Sequence, residues 1–294
     1  MSDYAVTTTD LAKRYGPTIA LAGVSLAVRR GSIYGLVGPN GAGKTTLLGV
    51  LAGLRKATEG AFAVDATRVG VLPDTPTFDP WLTAYEVVDL ALALNGPQKG
   101  AAAVDSVLER VGLADVAERR VGGFSRGMLQ RLGLAATVVG EPDVLLLDEP
   151  AAALDPAGRR EVLDMVAALH GQATVVFSSH ILDDVQQVCD TIGILDHGQL
   201  VYEGTLDDLV AGRRQAAEYR ITVRGSAGHV ADAIRSREWV DRVSVIDDVV
   251  VVTARSSDVL ERELIPALAE IEVSIISVAP VRRSLEDIFL EVTQ

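Results

Sequence analysis

Gly38-Pro39-Asn40-Gly41-Ala42-Gly43-Lys44-Thr45 decides how the rest of this chain is read. The stretch satisfies G-x-x-x-x-G-K-[ST], the pattern of a loop that cradles phosphates. Its glycines let backbone N–H groups turn inward toward an anion. Lys44-Thr45-Thr46-Leu47-Leu48-Gly49-Val50-Leu51 reads as a helix, and a helix N-terminus favours negative charge. Thr45 offers a hydroxyl to Mg²⁺. Upstream, Ser32-Ile33-Tyr34-Gly35-Leu36-Val37 reads as a buried strand, so the loop has the strand–loop–helix setting it needs. Of 27 Lys+Arg, only Lys13, Lys44, Lys56 and Lys99 are lysines. In so Arg-biased a chain Lys44 stands out, because a compact ammonium fits a tight cradle that a planar guanidinium fork would crowd. The stretch is read as a nucleoside triphosphate site.

The 294 residues are long for one domain and comfortable for two, and 48% hydrophobic content can fill a sizeable core. The net charge of −13 argues weakly against nucleic acid as the main partner. It does not exclude ATP, because the loop acts locally. Cys189 is the only cysteine, so no intrachain disulfide forms, which fits a reducing compartment. Met1-Ser2-Asp3-Tyr4-Ala5-Val6 lacks the apolar stretch of a signal peptide. No run approaches the roughly 20 apolar residues of a membrane span. Any membrane role is expected to come through a partner.

Working outward from the loop, short apolar runs predict strands at Ile33–Val37, Arg68–Leu72, Val144–Leu147, Thr174–Phe177 and Ile192–Leu195. Amphipathic stretches predict helices at Ala84–Leu94, Ala101–Val111 and Gly158–Leu169. Alternation of this kind indicates an α/β unit with a largely parallel sheet. Residues 75 to about 125 carry mainly helical signals and are expected to form an inserted helical lobe. Composition shifts after Ala211-Gly212-Arg213-Arg214, giving expected domains at 1–212 and 216–294. The second reads strand (Glu218–Val223), helix (His229–Arg237), strands (Val240–Ile246, Val249–Ala254), helix (Val259–Glu270), strand (Ser274–Val278). That is the split βαβ, ferredoxin-like order of a small α+β domain. An amphipathic segment, Leu285–Leu290, closes it.

A triphosphate loop needs a partner strand that supports the metal and the attacking water. Val144-Leu145-Leu146-Leu147-Asp148-Glu149-Pro150 supplies one. Asp148, emerging from the apolar run, is placed to bind Mg²⁺ directly or through water. Glu149 is placed to polarise water as a general base, a role that requires the ionised carboxylate. Thr174-Val175-Val176-Phe177-Ser178-Ser179-His180 is a second buried strand, ending in a histidine. Ligands of open α/β sheets gather at the carboxyl ends of strands, where His180 can donate to a γ-phosphate.

Together these residues resemble the nucleotide-binding subunit of an ABC transporter. Glu141 through Pro150 resembles the family's Walker B block, Ala153-Leu154-Asp155-Pro156 its D-loop and His180 its switch histidine. Phe124-Ser125-Arg126-Gly127-Met128-Leu129-Gln130-Arg131 is similar to the ABC signature, and Tyr15 to the aromatic residue that stacks on adenine. Gly193–Gly198 and Tyr202-Glu203-Gly204-Thr205 resemble the closing segment, so the match spans about residues 4–210. The resemblance implies an antiparallel β region beside the core sheet and an ATPase using ATP and Mg²⁺. It implies Glu149, His180 and Lys44 as catalytic residues and Thr45, Asp148 and Asp74 at the metal. Tyr15, Gly38 through Thr46, Asp74, Ser125, Gly127 and Asp148 are the implied nucleotide contacts. It also implies two cassettes sandwiching ATP head to tail, Ser125 and Gly127 reaching the nucleotide of the other subunit. The second subunit is another copy or a paralogous ATPase. The implied partners are integral membrane permease subunits, not nucleic acid, at the cytoplasmic face of the cell membrane.

Two departures from the family pattern matter. Arg126 replaces a signature glycine, and Asp74, in Gly70-Val71-Leu72-Pro73-Asp74-Thr75-Pro76, stands where a glutamine is usual. Asp74 can still bind a cation but adds negative charge beside Asp148 and Glu149. Ser284 through Thr293 resembles the ending of exporter ATPase subunits, including drug and antibiotic self-resistance exporters. The alternative is a non-transport ABC ATPase acting on nucleic acid or ribosomes. Such proteins carry paired cassettes, long coiled coils or zinc-binding insertions, whereas this chain shows one cassette, no sustained heptads and one cysteine. A phosphate-loop phosphotransferase is disfavoured by the signature and His180.

Overall fold

The computed structural model describes residues 3–95, 100–152, 154–211, 217–254 and 257–280. Lys99, Ala153, the linker residues Gly212-Arg213-Arg214 and the closing segment from Ser284 to Thr293 lie outside the described residues. The chain divides into two compact units, with the join between Leu206 and Asp207.

The first unit begins with two long strands, β1 (Tyr4–Tyr15) and β2 (Thr18–Arg29), joined by a tight turn. Then come β3 (Ile33–Val37), α1 (Lys44–Leu51), β4 (Glu59–Val64) and β5 (Val69–Leu72). Helices α2 (Ala84–Leu94), α3 (Ala101–Arg110) and α4 (Arg126–Val138) follow. The chain returns to the sheet through β6 (Val144–Leu147), α5 (Pro156–Ala167), β7 (Thr174–Ser179), α6 (Leu182–Val188), β8 (Thr191–Asp196) and β9 (Gln199–Gly204). The six-stranded sheet has the order β5-β6-β7-β3-β8-β9. Its pairings are parallel except the last, β8 with β9. Strands β3, β6 and β7 are buried along their whole length, which is why β3 and β6 are continuous apolar runs and β7 carries Val175-Val176-Phe177 without alternation. The second sheet, β2-β1-β4, is antiparallel. A shared core joins Leu21 and Val24 of β2, Leu36 of β3, Leu47 and Val50 of α1, Leu146 of β6 and Val176 of β7. Helices α2, α3 and α4 pack around their own core, including Val88, Val104, Leu108, Leu132 and Ala135. A reciprocal capping box fixes the start of α2: Glu86 N–H donates to Thr83 Oγ1 (3.1 Å), and Thr83 N–H to Glu86 Oε2 (2.8 Å).

Helix α7 (Leu206–Ala211) lies at the join. The second unit contains β10 (Ala217–Arg224), α8 (Ala227–Arg235), β11 (Val240–Ile246), β12 (Val249–Ala254), α9 (Ser257–Ala269) and β13 (Ser274–Pro280). Its sheet is antiparallel in the order β11-β12-β10-β13, the arrangement in which two βαβ halves interlock. Ile221, Val223, Val250 and Val252 meet Val230 and Ile234 of α8 and Leu260 and Leu264 of α9 in one core.

Candidate functional site

The phosphate loop leaves the end of β3, with β7 on one side and β8 on the other. Close packing fixes its shape at two glycines. A Cβ on Gly38 would stand 2.2 Å from the Leu195 carbonyl oxygen of β8. One on Gly43, whose φ is +110°, would stand 2.5 Å from the Ala20 carbonyl oxygen of β2. No side chain fits at either place. The loop then opens α1, and Lys44 folds back so that Nζ donates to the carbonyls of Gly38 (2.7 Å) and Pro39 (3.3 Å).

Lys44 Nζ also lies 3.5 Å from Glu149 Oε1, both side chains being largely buried. The other carboxylate oxygen, Oε2, is 2.8 Å from His180 Nδ1. An ionised carboxylate only accepts, so Nδ1 carries the hydrogen. With Nδ1 committed to Glu149, donation from His180 to a phosphate requires a proton on Nε2 as well. Lys44, Glu149 and His180, more than 100 positions apart in sequence from first to last, thus meet in one line of contacts.

A cavity of about 400 Å³ opens above this line, walled by Asn40 through Thr46, Ala20, Asp74, Glu149, Ala152 and His180. Asp148 sits behind the wall, buried, with Oδ1 accepting from Ser178 Oγ at 2.6 Å. The same Ser178 oxygen accepts from the Glu149 N–H at 2.9 Å. The serine pair ending β7 has a second member, Ser179, whose hydroxyl accepts from Ile181 N–H (3.0 Å) and donates to Asp184 (3.2 Å). Asp184 in turn receives Arg159 of α5 at 2.6 Å. Sequence reasoning passed over Ser178 and Ser179; the available signal was two hydroxyls following the apolar run Val175-Val176-Phe177.

Among the described residues, no three His, Cys, Asp or Glu side chains cluster as a cation cage. Mg²⁺ does not need one, since it binds through one or two carboxylates, retained water and substrate phosphates. The Thr45 hydroxyl and the carboxylates of Asp74 and Asp148 are hard oxygen donors of that kind, so the donor set fits the ion. Tyr15 is half exposed at the end of β1 and is not part of the cavity wall. Arg55 connects it to the loop, Nη1 donating to Tyr15 Oη (3.1 Å) and to Thr46 Oγ1 (3.3 Å), while Lys13 Nζ stands 4.7 Å from the ring centre. Arg55 was not singled out in the sequence; it lies nine residues beyond Thr46, in the turn after α1.

Ser125 and Gly127 do not face the Lys44 cavity. They line another, of about 450 Å³, with Arg131, Leu154, Asp155 and Glu161. Ser125 caps α4 by accepting from Met128 N–H at 3.3 Å, and Asp155 caps α5 by accepting from Gly158 N–H at 3.1 Å. Arg126 is the first residue of α4.

A glycine-lined helix start, a paired lysine and glutamate, and a strand-end aspartate on a parallel sheet define a phosphate-loop nucleotide hydrolase. The family model described as "ABC transporter" matches residues 21–152. The chain is 36% identical to the daunorubicin resistance ATP-binding protein DrrA3 of Streptomyces coeruleorubidus, over 100% of this chain and 97% of that one. It is 43% identical to the uncharacterized ABC transporter ATP-binding protein YxlF of Bacillus subtilis (strain 168), over 68% of this chain and 70% of that protein. A solved structure described as the ATP binding subunit of an ABC transporter superposes with a TM-score of 0.65 at 27% identity, covering 71% of this chain and 92% of that one. The chain belongs to the ABC transporter ATP-binding family, and it is an ATPase of that class. No helix among the described residues is long and apolar enough to cross a membrane.

Proposed function

We propose that this chain is the subunit that binds and hydrolyses ATP to energise a separate membrane permease, in the direction of export. The observation that carries the reading is the split between cavities: Lys44, Glu149 and His180 share one, while Ser125 and Gly127 line another. Half a site for one nucleotide and half a site for a second is what a head-to-tail pair requires. In this reading the partner ATPase is a second copy or a paralogue, and the chain sits peripherally at the cytoplasmic face of the membrane. The direction follows the daunorubicin-resistance relative, which matches along nearly its whole length.

The roles follow from the contacts. The loop N–H groups and Lys44 hold the β- and γ-phosphates, and Tyr15 offers its ring to the adenine. Thr45, Asp148 and Asp74 hold Mg²⁺, which when bound neutralises developing phosphate charge. Glu149 accepts the proton of the attacking water. His180 keeps that carboxylate aimed, and Ser125 with the α4 N-terminus meets the phosphate held by the opposite subunit. A groove on the helical lobe, lined by Thr77, Phe78, Leu82, Leu90 and Leu94 and near 540 Å³, is the surface offered to permease loops. Trp81, 63% exposed in the same segment, adds apolar area there.

The test is to tag the chain in its native cells, solubilise the membranes and assay the purified material for ATPase activity. Recovery with a polytopic membrane protein whose lipid reconstitution raises the ATPase rate supports the reading. Recovery free of membrane protein, with hydrolysis stimulated by DNA or RNA, overturns it in favour of a nucleic-acid ATPase.

A further inference from the structure

Glu149 sits on a backbone that an L-residue resists: its φ is +49°, where the side chain crowds the following carbonyl. Such a conformation persists only where its surroundings hold it. Two buried side chains do so from opposite sides. Ser178 of β7 accepts from the Glu149 N–H at 2.9 Å, and Gln130 of α4 directs Nε2 toward the Glu149 carbonyl oxygen at 3.5 Å. Ser178 is fully buried and Gln130 is 2% exposed.

The Ser178 hydroxyl has one proton. Its oxygen is already engaged by the Glu149 N–H, and its proton goes to Asp148 Oδ1 at 2.6 Å, a charge-assisted contact. One hydroxyl therefore orients both acidic residues at once. It engages one oxygen of Asp148, leaving the other outside that bond, and it anchors the peptide from which the Glu149 carboxylate reaches Lys44 and His180.

We propose that Ser178 is a positioning residue for ATP hydrolysis. It sets the facing oxygen of Asp148 and the direction of Glu149 through a single shared hydroxyl. The proposal rests on the ATPase reading of the site. Its specific content is that losing the hydroxyl harms metal-supported binding and turnover while leaving metal-free nucleotide binding alone.

The experiment compares the full-length wild type with Ser178→Ala and Ser178→Thr. ADP affinity is measured in EDTA and with Mn²⁺, Mn²⁺ binding is followed by electron paramagnetic resonance, and steady-state kcat and KM and the melting temperature complete the set. In Ser178→Ala, ADP affinity in EDTA stays within twofold, while KM for metal-bound ATP rises. The tightening of ADP by Mn²⁺ falls about tenfold and kcat falls roughly ten- to hundredfold, the scale of one lost hydrogen bond to a charged group. Ser178→Thr returns the hydroxyl and recovers most of both. A folded Ser178→Ala with kcat and Mn²⁺ affinity within twofold of wild type overturns the proposal. So does a Ser178→Thr protein that melts like the wild type yet remains as impaired as Ser178→Ala. A wild type that neither binds nor cleaves ATP instead removes the reading beneath it.

Discussion

Glu149→Gln separates binding from chemistry at this site. The amide keeps the shape of the carboxylate and still accepts from His180 Nδ1, so the 2.8 Å contact survives. What disappears is the negative charge 3.5 Å from Lys44 Nζ and the ability to take a proton. Removing a positioned general base costs about 10²–10⁴ in rate, or roughly 3–5 kcal/mol in the barrier. The charge term acts in the other direction on binding. At an effective dielectric of about 20 the gross attraction at that separation is about 5 kcal/mol, much of it offset by desolvation. Freed from Glu149, the ammonium has the nucleotide phosphates as its main counter-charge, so ATP affinity is expected to hold or tighten. The assays are phosphate release under single turnover, equilibrium binding of a fluorescent ATP analogue, and light scattering with and without ATP. A particle near twice 31.1 kDa is expected to accumulate with ATP, with release of phosphate down at least a hundredfold. Phosphate release within a factor of three of wild type, or a loss of ATP binding beyond tenfold, refutes the assignment of Glu149 as the base.

Three further expectations follow from other parts of the site. Ser125→Ala removes a helix cap, a loss of about 1 kcal/mol to α4, and should weaken ATP-driven pairing more than binding by the single chain; weakened binding in the monomer with pairing intact would place Ser125 in its own cavity after all. Asp74→Asn removes one negative charge from the cavity wall and should shift the Mg²⁺ concentration for half-maximal ATPase; a superimposable titration would make Asp74 a bystander. Burial first, then Asp190 and Asp184, push the Cys189 thiol well above its usual value. A raised pKa means less thiolate at any given pH, so its reaction with a maleimide should be slow at pH 8 and keep climbing as pH rises past the ordinary thiol range, whereas a plateau below pH 8.5 would contradict this.

The parts of the fold legible in the sequence are those written in continuous segments. Helix α2 occupies Ala84–Leu94 and β3 occupies Ile33–Val37, as their patterns predict, because burial on both faces or on one helical stripe leaves a local signature. Strands β1, β2 and β4 were expected only as an antiparallel region implied by the resemblance. Their pairing contains register shifts, as between Thr8 and Leu11, which break the two-residue alternation by which strands are read. The same division runs through the site. The phosphate loop and the Asp148-Glu149 pair each lie within a few consecutive residues. The Ser178–Asp148 bond joins positions 30 apart, and the Arg55–Tyr15 bond joins positions 40 apart. Neither partner advertises the other, since both contacts come from how strands and turns are stacked. His180 was expected to donate to phosphate; its 2.8 Å contact with Glu149 came from β6 and β7 lying side by side, which only the sheet order reveals.

Because the Lys44 and Ser125 cavities are separate surfaces of one molecule, defects in them are expected to combine by pairing rather than by addition. Blend a chain crippled at Glu149 with one crippled at Ser125, and a mixed couple assembles one composite pocket from both damaged halves and one from both sound halves. Two preparations that are each inert alone should therefore regain part of their turnover on mixing, a rescue that a self-sufficient chain could never display.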